Sequence, residues 1–159
     1  EGNYVASIKH TDLYFQPGIY NRLRADAEAM DAVIVALERV PGVARVFRSE
    51  ELPALRTSND TVSRAAALSY FPARSGDLII IPQPGWITSS DAATHGTSYD
   101  YDARVPVILM GAGIRPGKYS QPASPADIAP TLAHLAGLRF TDRDGRILYE
   151  ALRDSTRPE

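Results

Sequence analysis

The sequence predicts an α/β fold built in two parts, and three observations carry that expectation. Residues 20–40 repeat apolar side chains at three- and four-residue spacing, as a helix with one face on a core does. Two short runs, residues 78–81 and 105–110, are almost wholly apolar, as strands covered on both faces are. Ser124-Pro125-Ala126-Asp127 is a strong helix start. Serine can cap, proline suits the first helical position, and aspartate complements the positive end of the helix dipole.

The elements follow in order. Tyr4, Val5, Ile8, Leu13, Tyr14 and Phe15 mark a strand interrupted near Lys9-His10-Thr11-Asp12, and Pro17-Gly18 turns the chain. Leu23, Ala27, Met30, Val33, Ile34, Leu37 and Val40 line the helix, which Pro41-Gly42 stops. A short strand returns over residues 43–47. This strand–helix–strand is read as a small α+β unit occupying residues 1–76.

After a polar connection over residues 56–60, a short helix is expected over 61–70, with Val62, Ala65, Ala66 and Leu68 inward. Ser75-Gly76-Asp77 turns into the first buried strand, and Pro82, Pro84 and Gly85 end it. Residues 77–159 form the second expected part. They hold that strand, a long loop over 86–103, a second buried strand over 105–110 and a helix from 125 to 136. Long loops in compact domains are disproportionately functional or disordered. Ile128, Leu132 and Leu135 give the helix its apolar face, with Ala129 and Ala136 beside it, and Gly137 ends it. Pro130 falls within its first two turns, where a missing donor costs less. Ile147, Leu148 and Leu152 are the packing residues of the polar tail.

Composition narrows the function classes. Of 159 residues, 44% are hydrophobic, enough for a core. Seventeen basic and 19 acidic side chains leave a net charge of −2, so there is no electrostatic footprint for nucleic acid or an anionic membrane. With no cysteine, disulfides, thiolate zinc sites and cysteine nucleophiles are excluded. No apolar run approaches the roughly 20 residues of a membrane helix. The chain starts at Glu1, without a signal-peptide pattern, and is expected to be a fragment, a processed chain or an excised domain.

The chemistry centres on His95. Neutral imidazole is a good zinc ligand. Gly96 permits close backbone approach, Thr94, Thr97 and Ser98 offer hydrogen bonds, and Asp100 or Asp102 could accept the second ring N–H. A lone histidine is a weak signal, and on its residues alone His95 reads first as a loop histidine bonded to its neighbours. Asp100 and Asp102 could pair as acid and base, but alternate acidic residues between tyrosines read rather as solvated or bonded to backbone, and Tyr99, Tyr101 and Trp86 as aromatics covering a hydrophobic edge or as a stacking platform. Thr94, Thr97 and Ser98 have no base beyond His95, and Gly111-Ala112-Gly113 is too short for a dinucleotide fingerprint. His10 reads as a surface residue, and His134 lies within the 125–136 helix.

Several ordered segments together resemble the alkaline phosphatase superfamily, in the branch of PafA-type zinc-dependent phosphatases and type I phosphodiesterases. They are the run from Ala93-Thr94-His95-Gly96 through Tyr99-Asp100 to Arg104-Val105-Pro106, then Gly111-Ala112-Gly113-Ile114 and Pro116-Gly117. Asp127-Ile128-Ala129-Pro130-Thr131-Leu132 with Leu135-Ala136-Gly137 resembles a helix common across the superfamily, sulfatases included. Upstream, Val40-Pro41-Gly42-Val43 and Arg74-Ser75-Gly76-Asp77 are similar in kind. The resemblance covers about residues 20–138 and is strongest over 93–137.

The resemblance implies a fragment, the C-terminal portion, of an α/β/α sandwich with the small α+β unit inserted as a cap. It implies a two-zinc phosphoryl-transfer site acting on a phosphate monoester or diester, with a threonine or serine nucleophile that forms a covalent phospho-enzyme. His95 would ligate the zinc on the leaving-group side, with Thr94, Gly96, Thr97, Asp100 and Asp102 around it. The nucleophile and remaining ligands lie upstream of the matched region in the family. His10-Thr11 is not the family's Asp-His-Gly, so this chain alone is expected to bind zinc weakly and to be inactive. A periplasmic or extracellular location follows from the same resemblance. The alternative is a non-catalytic α+β interaction module that retains a superfamily loop, and a sulfatase-like or phosphonate-cleaving relative is a third reading. Strands left without neighbours would favour self-association through sheet edges.

Overall fold

The computed structural model describes residues 2–89 and 94–153. The chain divides into two compact units, Glu1–Arg104 and Val105–Glu159.

The first unit is a four-stranded antiparallel sheet with helices on both faces. Strands β1 (Val5–Lys9) and β2 (Asp12–Phe15) form a hairpin. His10, at φ 54°, turns it, which is the interruption expected at that point. Helices α1 (Ile19–Arg24) and α2 (Ala27–Glu38) precede β3 (Val43–Arg48). A 3-10 run over Ser49–Thr57 leads to α3 (Thr61–Ser69), β4 (Leu78–Pro82) and the short α4 (Asp100–Ala103). The strand order is β1-β2-β4-β3.

The single helix expected over residues 20–40 is two helices. Asp26 adopts an extended backbone, and its carboxylate accepts the Ala29 N–H at 3.0 Å, capping α2. In α3 the inward face is Ser63, Ala66 and Ala67, while Leu68 faces outward. The Asp60 carboxylate caps this helix at Ser63, and Arg45 donates to both Asp60 and Ser63, which turns the serine inward.

Alternation along β4 divides its side chains between two cores. Leu78 and Ile80 pack with Leu13, Met30 and Val46 on the α2 side. Ile79 and Ile81 pack with Phe47, Leu52, Ala66 and Ala67 on the α3 side. Each of the Leu, Ile, Val, Met and Phe side chains so removed from water contributes roughly 1.5–3 kcal/mol, the two alanines less. The strand is therefore buried on both faces, as its composition predicted.

Its placement corrects the expected domain boundary. Because β4 lies between β2 and β3, it cannot belong to a different unit from them. The Asp77 N–H donates to Leu13 O at 2.9 Å, and Asp12 Oδ1 accepts the Gly76 N–H at 2.5 Å, so the chain crosses position 76 fully engaged. The division falls after Arg104 instead of after residue 76.

The second unit is held by α5 (Ile128–Leu135), the 3-10 turn Pro125–Asp127 before it, and the segment that returns beneath it. Asp127 Oδ2 accepts the Ser124 N–H and Oδ1 the Arg146 N–H, both at 2.8 Å. Thr131 Oγ1 donates to Asp127 O at 2.7 Å and accepts the Leu148 N–H at 3.0 Å. Pro130, Leu148, Ala151 and Leu152 complete the buried set, and Ile114 bridges to Leu152.

Two expectations fail in this unit. Residues 105–110 form no strand, and Ile108 and Met110 are 84% and 96% exposed. A strand read as buried on both faces needs ladder partners, and none pairs with this segment among the described residues. The apolar face of α5 is only partly covered: Leu132 is 51% exposed and Leu135 half-buried, while the buried residues of the helix are Pro130 and Thr131. No helix among the described residues is long and apolar enough to cross a membrane.

Candidate functional site

The loop carrying His95 leaves the end of β4 and belongs to the first unit. Its base is fixed locally. Gln83 N–H donates to Gly42 O at 2.7 Å, and Trp86 N–H donates to Gln83 O at 3.0 Å. The Trp86 ring lies against Gly42, where a methyl group would fall inside the indole. Gly42 is at φ +92°, so glycine is required there by both backbone and contact.

The far side of the loop is built by Tyr99 and α4. Tyr99 O accepts the N–H groups of Asp102 and Ala103, at 2.9 and 2.8 Å, opening the helix. The Asp102 side chain then reaches back along the chain. Its Oδ2 accepts the Gly96 N–H at 2.8 Å and the Thr97 N–H at 2.5 Å. The Thr97 N–H, with that of Gly96 adding to it, holds the Asp102 carboxyl below its usual range, and nearby His95 acts in the same direction. Gly96 takes φ +119°, a conformation that side chains disfavour, and this lets two successive amides face one oxygen.

His95 itself is exposed, with Thr94 beside it donating weakly to His95 O at 3.4 Å. Thr97 and Ser98 are half-buried, and Asp100 is exposed at the start of α4. The structure thus brings His95, Gly96, Thr97 and Asp102 together. Asp102 serves the backbone of the loop, which was one of its readings. Ala93, the first residue of the matched run, lies outside the described residues. His10 sits in the β1–β2 hairpin, and His134 meets the Tyr149 ring edge-on at 5.2 Å within the second unit.

Sequence reasoning missed the polar work of the two tyrosines. Their rings stack on each other at 5.8 Å. Tyr99 Oη donates to Pro82 O at 2.8 Å, and Tyr101 Oη accepts the Gly85 N–H at 2.9 Å. The signal was the Tyr-Asp-Tyr-Asp spacing, which puts two hydroxyls and a carboxylate on one short helical turn.

A zinc ion takes three or four protein ligands. Among the described residues no three His, Asp or Glu side chains converge. The loop therefore offers one exposed imidazole on a fixed backbone. That fits one corner of a shared metal site and does not make a complete one.

No family model matches the chain. It is 33% identical over 130 residues to a protein named calcium-transporting ATPase from Myroides odoratus, covering 79% of this chain and 23% of that one. It is 35% identical over 134 residues to alkaline phosphatase PhoD from Zymomonas mobilis, covering 77% and 23%. Among solved structures it is similar to wild-type alkaline phosphatase PafA, with a TM-score of 0.75 and 28% identity over 95% of this chain and 30% of that one. The chain spans about a quarter of the length of the curated relatives it matches. Its mixed α/β architecture corresponds to a portion of the PafA fold, as the resemblance implied.

Proposed function

This chain belongs to the alkaline phosphatase superfamily, and from that premise we propose that it is the C-terminal part of a zinc-dependent hydrolase of phosphate esters, with His95 as one of the metal ligands. The observation that carries the reading is the loop itself. An exposed imidazole stands on a backbone fixed by Asp102 through two amides and by a glycine in a left-handed conformation. That restraint suits a ligand held to a set geometry, and the family resemblance puts a metal ligand at this position.

When bound, zinc would stabilise charge on a departing oxygen and lower the pKa of a water. This chain's residues contribute position: His95 presents a ring nitrogen, and Asp102, Gly96 and Thr97 keep it in place. The nucleophile, a threonine or serine, and the other ligands belong to parts of the protein outside this chain. The chain alone is accordingly inactive, and its zinc affinity is weak. A periplasmic or extracellular location and a phosphate mono- or diester substrate go with the same reading.

The test is His95→Ala in the complete polypeptide, measured by zinc content and by turnover of p-nitrophenyl phosphate and its diester analogue. Loss of about one zinc per polypeptide together with a fall in turnover of 100-fold or more is expected. Near-normal turnover and unchanged zinc would remove His95 from the site.

A further inference from the structure

We propose that Tyr99, Tyr101 and Asp102 are positioning residues that fasten the His95 loop to the exit of β4, and that Asp102 acts as an acceptor for backbone amides, not as a partner of the imidazole. This rests on the reading of His95 as a metal ligand.

The restraint can be followed bond by bond. The turn after β4 is pinned to the start of β3 through Gln83 N–H on Gly42 O and through the Trp86 ring on Gly42. Two tyrosine hydroxyls then engage the end of β4 and that turn, Tyr99 from the start of α4 donating to Pro82 O and Tyr101 within it accepting from Gly85 N–H. Ring stacking, with an interplanar angle of 18°, couples the two tyrosines to each other. Asp102 follows in the same helical turn, and its carboxylate ends the series on Gly96 and Thr97. His95 is therefore one residue from the last fixed amide, although nothing need touch its ring.

The geometry makes a specific chemical demand. Both amides donate to the same oxygen, Oδ2. A carbonyl oxygen with two lone pairs can accept both. Asparagine should therefore replace Asp102 almost fully, while alanine should not. A carboxylate that oriented the imidazole by its charge would fail equally in both variants.

The experiment uses the complete polypeptide with Asp102→Ala, Asp102→Asn, the double variant Tyr99→Phe with Tyr101→Phe, and His95→Ala. Each is measured for amide hydrogen exchange at Gly96 and Thr97, zinc affinity and thermal midpoint. Asp102→Ala is expected to speed exchange at both amides by at least about tenfold and to weaken zinc by about 10- to 100-fold, with the midpoint nearly unchanged. Asp102→Asn should stay within about threefold of the parent, and the double tyrosine variant should fall between them. Unchanged exchange in Asp102→Ala, or an asparagine variant as impaired as the alanine one, overturns the proposal. So does faster exchange without zinc loss in Asp102→Ala when His95→Ala does lose zinc. If neither Asp102→Ala nor His95→Ala loses zinc while exchange still accelerates, the metal reading of His95 fails and the tether stands.

Discussion

The two units of this chain hold themselves together by different means. The first closes a sheet between two apolar layers, so that β4 is covered above, below and along both edges. The second is organised around polar groups. Asp127 and Thr131 gather four hydrogen bonds beneath α5, while the apolar side chains of residues 105–110 and of the outer face of α5 stay largely in solvent. Equal hydrophobic content does not give equal burial; the supply of partners decides it. A strand with neighbours becomes the centre of a core, and a similar run without them remains an extended surface.

That contrast can be broken, beginning with the largest effect. Leu78→Ala removes a fully buried side chain from the centre of the first unit and should cost about 2–5 kcal/mol. The single tryptophan, Trp86, reports this unit, so urea unfolding followed by its fluorescence measures the loss. In the second unit, Thr131→Val keeps the volume but leaves the buried Leu148 N–H without its acceptor, at about 1–3 kcal/mol. Exchange at the Leu148 amide should accelerate while the Trp86 midpoint holds. A parallel shift of that midpoint would mean that the two units unfold as one.

Acid sharpens the comparison further. The Arg146 and Ser124 N–H groups hold the Asp127 carboxyl below its usual range, with the Arg146 charge assisting. A carboxyl depressed on folding stabilises fully above its unfolded value near 4, and that contribution is lost as pH falls through the lower folded value. Exchange protection at Arg146 and Leu148 should therefore fall below about pH 4. Asp127→Asn, which keeps only one acceptor oxygen, should show reduced protection already at pH 7 and a flatter acid response. The smallest effect belongs to Ile108→Lys. In this chain it should change stability by no more than about 0.5 kcal/mol, because the residue it replaces is almost wholly solvated. Sedimentation at rising concentration would then show whether that charge suppresses self-association.

Much of the first unit could be read from the sequence because its signals are local. Pro41-Gly42 stops a helix wherever it occurs, and Leu78-Ile79-Ile80-Ile81 has no polar face to expose. What could not be read is which strands flank β4. Hydrogen-bond pairing is non-local, and the expected boundary at 76/77 split a sheet that is continuous. The second unit was less legible for a related reason. Ile128, Leu132 and Leu135 describe a face that wants a partner, and periodicity does not say whether this chain supplies one. At the candidate site, His95 and Asp102 were singled out by residue type, and it was the family resemblance that set His95 apart from a loop histidine. The hydroxyls of Tyr99 and Tyr101 were not singled out, because a tyrosine's ring and its hydroxyl point to different roles, and only the distances to Pro82 O and Gly85 N–H decide between them.

The most direct measurement is the zinc content of the complete polypeptide that carries this chain, purified without added metal, beside its His95→Ala variant. Two zinc ions in the parent and about one in the variant, with loss of phosphate-ester turnover, are the expected result. Equal zinc and equal turnover in the two proteins would contradict the assignment of His95 as a metal ligand.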